Sequence, residues 1–338
     1  MTDSRSMPLV SIVTPMYNEI EHLEECIQSV LKQTYKNWEY IIVDNCSTDG
    51  STALAKSYAD KDPRIRVIEN ERFVKAIANF NGALNHISPA SKYCKIVFGD
   101  DWIFPECLER MVAVAEAHPS VGIVGAYVLE GTRVVNYGLP YSQNVFAGRE
   151  ICRRLFLEVL YVFGTGTSVL YRSDLVRSRV PFYNDKNIHS DMEACVALLR
   201  ESDFGFVHQV LTFTRVRERS IITMGRDMNT YAASSLQQLV TYGPQFLTEA
   251  ELRECVTHAV SEYYRYLGGS FLGRRDKSFW DYHLNTLRQA GVEFSRLRLA
   301  RSVLGRICSS VLNLQQTIEI LSRRRERERE MFLREVAE

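Results

Sequence analysis

Lys95–Glu106 reads KIVFGDDWIFPE, and the order of residue types in it decides how the rest of the chain is read. Ile96, Val97 and Phe98 make a short apolar run of the kind that fills a buried strand. Gly99 ends the run, the carboxylates Asp100 and Asp101 follow at once, and Pro105 stands where proline suits the first turn of a helix. Two acids are thereby held at the carboxyl end of a buried strand, the edge at which open α/β sheets bind their ligands. Adjacent carboxylates repel unless something positive neutralises them, and a divalent cation carrying phosphates does that well. The same acids would also serve as caps for the helix after Pro105; the stretch alone leaves both readings open.

Working outward, Leu9–Pro15 (LVSIVTP) has the β-branched content of a strand. A loop containing Tyr17, Asn18 and Glu19 follows, and Leu23, Cys26, Ile27, Val30 and Leu31 then recur at helical spacing. Trp38–Val43 predicts a second strand, ending in the polar loop Asp44-Asn45-Cys46-Ser47-Thr48-Asp49-Gly50, which can cap a helix over Ser51–Asp60. A strand over Ile65–Ile68, a helix over Ala76–Ile87 and the strand Tyr93–Phe98 complete the series. Strands alternating with helices of this length mean βαβ units and a parallel sheet. The first βα turn is PMYNE, without the glycines of a dinucleotide fingerprint or of a phosphate-binding P-loop.

The 338 residues fit one large domain, or a catalytic domain plus an appendage, and an apolar share of 46% is ordinary for a globular core. Lys plus Arg and Asp plus Glu both number 41. That balance argues against nucleic acid as a partner, since binding it needs a positive excess. The eight cysteines form no close pairs of the zinc or redox type, so a reducing, cytoplasmic setting is expected. No apolar run reads as a signal peptide or a transmembrane segment, which leaves room for peripheral contact with the inner face of a membrane.

The succession strand–PMYNE–helix, IIVDNCSTDGS and GDDWIFPE resembles the family 2 glycosyltransferases, over roughly residues 8–220. The resemblance implies the GT-A fold: an α/β, Rossmann-like, mostly parallel sheet flanked by helices. It implies a nucleotide-sugar donor, a UDP-sugar by preference, held by Pro15, Tyr17, Glu19 and Asp44. Asn81, in the run Asn81-Gly82-Ala83, matches a further donor position. The metal motif of the family is usually Asp-x-Asp, whereas here the acids are adjacent. Asp101 or Asp100 would hold Mn²⁺ or Mg²⁺ directly, its neighbour acting through water or the ribose. The second loop also departs, carrying Asn45 where the family often has a second acid.

Further on, helix Pro105–Ala117 and strand Val121–Leu129 are followed by a polar stretch, 130–148, read as an acceptor-side insertion. Gly164–Ser168 resembles the small-residue turn that lines the sugar and acceptor pocket in the family. Asn187–Glu193 opens a helix, and the resemblance makes Asp191 the catalytic base, with Ser190 where the family often has Glu; a helix-start acid favoured by the dipole is the structural alternative. His189 reads as structural or as an acceptor contact. Arg215, Arg217 and Arg219 follow the strand Val207–Thr214 and alternate onto one face. The resemblance implies that this region closes over the donor diphosphate, with Arg215 and Arg219 on it, while Arg217 is read as a solvated edge residue.

These expectations divide the chain into a transferase domain, 1–224, and a helical carboxyl-terminal region, 225–338. The aromatic cluster from Tyr263 to Tyr282 is read as helix packing. Leu297, Ala300, Leu304, Ile307, Val311, Leu314, Ile318 and Leu321 form an apolar seam over about four heptads, which predicts a homo-oligomerisation helix at 295–322. The function expected is inverting transfer of a sugar to a hydroxyl of a glycan or lipid-linked acceptor, in cell-surface polysaccharide or glycan synthesis. A sugar nucleotidyltransferase and an inactive scaffold in polysaccharide assembly are the alternatives.

Overall fold

The computed structural model describes residues 7–217, 228–273 and 275–312, with side chains through Ser309. They form two compact units, one up to Leu252 and one from Arg253 onward. The first unit opens with β1 (Val10–Met16), α1 (Leu23–Leu31), β2 (Trp38–Asp44), α2 (Ser51–Ala59), β3 (Ile65–Glu69), α3 (Ala76–Leu84) and β4 (Tyr93–Ile96). β1, VSIVTPM, is buried along its whole length, as befits a nearly continuous apolar run covered on both faces by helices. It pairs in parallel with β2 and with β4, and β2 pairs in parallel with β3. Side chains of β1 alternate between two apolar clusters: Val13 joins one, Val10, Ile12 and Met16 the other. The register sets Met16 opposite Asp44, so the loops after β1 and β2 emerge side by side.

After Gly99 come β5 (Trp102–Ile103), α4 (Cys107–Ala117), β6 (Val121–Glu130), β7 (Arg133–Val135), β8 (Val145–Phe146), α5 (Gly148–Glu158), β9 (Leu170–Arg172), α6 (Ser173–Ser178), α7 (Ser190–Leu198) and β10 (Asp203–Thr214). The main path of the sheet is β3-β2-β1-β4-β9-β6-β10-β5. It is mixed, and its longer pairings are the parallel ones, as the sequence predicts. β9 lies antiparallel between β4 and β6, and β5, β7 and β8 also pair antiparallel. For β7 the cause is local: a tight turn at Gly131, whose φ is +57°, returns the chain directly onto β6, and so short a link can only make an antiparallel pair. Pro105 lies ahead of α4, and its carbonyl accepts a hydrogen bond from Thr34 N at 2.9 Å.

The first unit runs past the predicted boundary at 224. α8 (Thr230–Tyr242) belongs to it because polar side chains tie it to α7 and to the segment just before it. Ser234 Oγ donates to Asn187 Oδ1 at 2.9 Å, Tyr242 Oη to Glu193 Oε1 at 3.0 Å, and Thr230 Oγ1 meets His189 Nε2 at 3.2 Å. α9 (Glu249–Leu272) carries the chain into the second unit, which continues with α10 (Lys277–Gln289) and α11 (Arg296–Leu312). There the aromatic residues pack on one another as expected: the Phe279 and His283 rings lie 4.3 Å apart, and Tyr263 Oη meets His283 Nδ1 at 2.6 Å. Of the helix predicted at 295–322, residues 313–322 lie outside the described residues. No helix among the described residues is long and apolar enough to cross a membrane.

Candidate active site

The loop after β1 is shaped by Asn18, whose φ of +52° an asparagine tolerates better than most residues. Polar residues of the second loop hold it in place. Asn18 N donates to Ser47 Oγ at 2.9 Å, Glu19 N to Ser51 Oγ at 2.9 Å and Ile20 N to Asp49 Oδ2 at 3.0 Å, while Thr48 N donates back to Asn18 Oδ1 at 2.8 Å. Gly99 passes close by: a Cβ there would lie 3.0 Å from Glu19 Cγ. The loops after β1, β2 and β4 thus meet at one edge.

A cavity of about 430 Å³ opens there, and Pro15, Tyr17, Glu19, Asp100, Asp101, Arg215 and Asp191 all line it, together with Arg217. Arg217 is no solvated edge residue. Its Nε pairs with Asp100 Oδ2 at 2.8 Å and its Nη2 pairs with Glu19, so one guanidinium bridges two acids from different loops. Glu19 is held above the ordinary carboxylate range by burial, against the lowering effect of Arg217. Asp101 is buried and accepts a hydrogen bond from Arg215 N at 2.9 Å. Burial first, and then the charge of Asp100, push its carboxyl well up. The Arg215 side chain donates from Nε to Asp100 O at 3.0 Å and pairs with Glu25.

On the far wall, Asp191 sits in the first turn of α7 and accepts from its neighbour Met192 N at 2.8 Å. Burial pushes its carboxyl up to about 6, a value suited to taking a proton near neutral pH. Ser190, Ile188 and Tyr183 line the cavity beside it.

The description "Glycosyl transferase family 2" matches residues 11–179. The chain belongs to this family. Among curated relatives, the putative glycosyltransferase EpsE of Bacillus subtilis is 40% identical over 125 residues, 37% of this chain and 44% of that protein. The putative teichuronic acid biosynthesis glycosyltransferase TuaG of the same organism is 37% identical over 105 residues, 31% of this chain and 41% of that protein. The chain therefore spans less than half the length of these two relatives. Among solved structures, S. aureus TarS residues 1–349 in complex with UDP superposes with a TM-score of 0.60 at 16% identity, over 83% of this chain and 79% of that one. That likeness concerns the fold, which is GT-A.

Within this family 2 chain, some predicted donor residues stand apart from the cavity. Asp44 is buried behind it, its carboxylate accepting from Ser47 N at 3.1 and 3.2 Å and from Thr52 Oγ1 at 2.9 Å. It shapes the second loop as an Asx turn does. Asn81 clamps the main chain of Tyr183, donating to its carbonyl at 2.8 Å and accepting from its N–H at 2.7 Å. Tyr183 in turn lines the cavity. Arg219 lies outside the described residues.

Other residues matter that sequence reading passed over. Asn45, the departure in the second loop, donates to Val74 O at 2.8 Å and accepts from Val74 N at 3.0 Å. An aspartate could do only half of that. Thr167, in the helical turn Gly166–Ser168, accepts from Phe98 N at 3.1 Å, and its hydroxyl also bonds Asp101. Beneath it, fully buried Lys95 donates to Thr167 O at 2.5 Å and to Val169 O at 3.2 Å. Glu193 gathers Asn184, Asn187 and Tyr242 at 2.8–3.1 Å, with Arg179 at 3.4 Å, and so braces the loop that delivers Asp191.

The acids also bear on the metal that the resemblance implies. Among the described residues no cluster of three or more His, Cys, Asp or Glu could cage an ion. Asp100 and Asp101 are nevertheless adjacent hard-oxygen donors whose mutual repulsion raises Asp101. An ion held by one or two carboxylates and completed by substrate phosphates fits them.

Proposed function

We propose that the chain transfers a sugar from a UDP-sugar to an acceptor hydroxyl with inversion at the anomeric carbon. The observation that supports this best is that Asp191 shares one cavity with Glu19, Asp100 and Arg217. The nucleotide would lie along Pro15 and Tyr17, whose ring rests edge-on against Phe73 at 4.9 Å. The guanidinium of Arg217, with Arg215 behind it, would meet the diphosphate, for which its planar fork is suited. Asp100, with Asp101 beside it, would hold Mn²⁺ or Mg²⁺, which when bound neutralises charge gathering on the departing diphosphate. Asp191 takes the proton of the acceptor hydroxyl as its oxygen attacks the anomeric carbon. The bond to the diphosphate breaks on the opposite face, and a single displacement inverts the centre.

The acceptor we propose is a glycan or lipid-linked glycan of cell-surface polysaccharide synthesis, performed at the cytoplasmic side. The printed name of TuaG, a teichuronic acid biosynthesis glycosyltransferase, favours that class. A sugar nucleotidyltransferase would want a glycine-rich basic loop after β1, where this chain has PMYNE. The test is release of UDP from a panel of UDP-sugars with candidate acceptors, with Mn²⁺ and with chelator. Acceptor-dependent release of UDP is the expected result. Release of pyrophosphate from a sugar phosphate and UTP would overturn the proposal in favour of nucleotidyl transfer.

A further inference from the structure

α11, Arg296–Leu312, carries the four arginines Arg296, Arg298, Arg301 and Arg306 and no acid. The chain as a whole is neutral, with 41 residues of each sign, so this is a local excess of positive charge. One side of the helix is packed: Leu299, Ser302 and Val303 are half-buried, and a Cβ on Gly268 of α9 would lie 2.8 Å from Ser302 Cβ. The other side is apolar and bare. Leu297 is 62% exposed, Leu304 61% and Ile307 43%, and Ala300 and Cys308 are exposed with them. At about 100° per residue, these five fall within an arc of about 100°. Arg296 borders the arc on one side and Arg301 on the other.

From sequence alone this seam predicts pairing with a second copy. The charges speak against that occupant. Two such faces brought together would set the bordering arginines of one copy against those of the other, with no acid in either helix to pair them. An anionic bilayer satisfies both halves of the pattern, since acyl chains cover the leucines and lipid phosphates meet the guanidiniums.

We propose that α11 docks on an anionic phospholipid surface, with Leu297, Leu304 and Ile307 at the acyl boundary and Arg296 and Arg301 on the phosphates. The inference does not depend on the sugar-transfer reading, because its probe is the lipid alone.

The experiment is co-sedimentation of the full chain with phosphatidylcholine vesicles, with and without phosphatidylglycerol. Sedimentation with the anionic vesicles, lost on adding salt, is expected. Arg296→Gln with Arg301→Gln should weaken partitioning roughly thirtyfold, and Leu304→Glu roughly tenfold or more. Both variants should unfold at the wild-type temperature, because the replaced side chains are exposed. Absence of wild-type sedimentation overturns the proposal, as does binding that survives both variants. A dimer by light scattering that Leu304→Glu turns into a monomer, with vesicle binding intact, assigns the face to a second copy instead.

Discussion

Replacing Asp191 by Asn separates two consequences of a single half-buried, poorly solvated carboxyl. The substitution keeps the shape of the side chain and abolishes its charge and its basicity. Burial lifts this carboxyl from 3.8 to about 6, so the folded chain holds the proton more tightly than the unfolded chain does. Ionisation therefore destabilises the fold increasingly as pH climbs from 3.8 to about 6, and the penalty is constant above that. The rise corresponds to at most about 3 kcal/mol. Water in the cavity screens the charge, which brings the expected penalty nearer about 1–2 kcal/mol. Urea unfolding should then find Asp191→Asn more stable than the wild type at pH 8 by about that amount, with the difference vanishing near pH 4. Turnover should move the opposite way, falling by roughly two to four orders of magnitude, while UDP affinity barely changes. The wild-type rate should climb with pH through about 6 as the base deprotonates. Near-normal turnover in the variant would refute the role of Asp191 as base. Equal stability of the two proteins at pH 8 would refute the poorly solvated carboxylate.

Arg217→Gln leaves Glu19 and Asp100 facing each other without their shared cation; UDP affinity by calorimetry should fall roughly ten- to a hundredfold, and an unchanged affinity would return Arg217 to the solvated role. Asn45→Asp restores an acid to the second loop but cannot donate to Val74 O; a loss of about 1–3 kcal/mol in urea unfolding is expected, greater at pH 8 than at pH 4, and an undiminished midpoint would contradict the amide clamp. Gly148→Ala would set a Cβ 2.0 Å from Ser202 O and 2.4 Å from Leu199 O, both backbone atoms, so about 3 kcal/mol or more should be lost; wild-type stability would show that this helix start shifts freely.

The first half of the sheet was legible in the sequence because its strands announce themselves by composition and its loops by turn chemistry. The strands from Leu9 to Phe98 were found to within a residue or two, and the edge where Pro15, Glu19 and Asp100 meet followed from their places at strand ends. β9 was less so: three residues encode no direction, and its antiparallel course depends on where the chain enters the sheet. The role of Arg217 is not legible in the sequence, because alternation assigns a face but does not say what that face meets; its partners are 198 residues away at Glu19 and also at Asp100. Asp44 and Asn81 were placed on the donor by the resemblance, yet the bonds they make are with the second loop and with Tyr183.

The alternation of strands and helices, the membership suggested by PMYNE and GDDWIFPE, and the acidic character of the sheet edge can all be read along the chain. These follow from local propensity, side-chain period and motif order, all properties of neighbouring residues. Folding in three dimensions settles which acids meet which cations, that Asn45 must be an amide, that Glu193 and α8 brace the approach to Asp191, and that the α11 seam lies bare between arginines. Each of these depends on groups brought within a few ångströms from distant parts of the chain, or on the burial that raises a carboxyl, and neither distance in space nor desolvation is written in the order of residues.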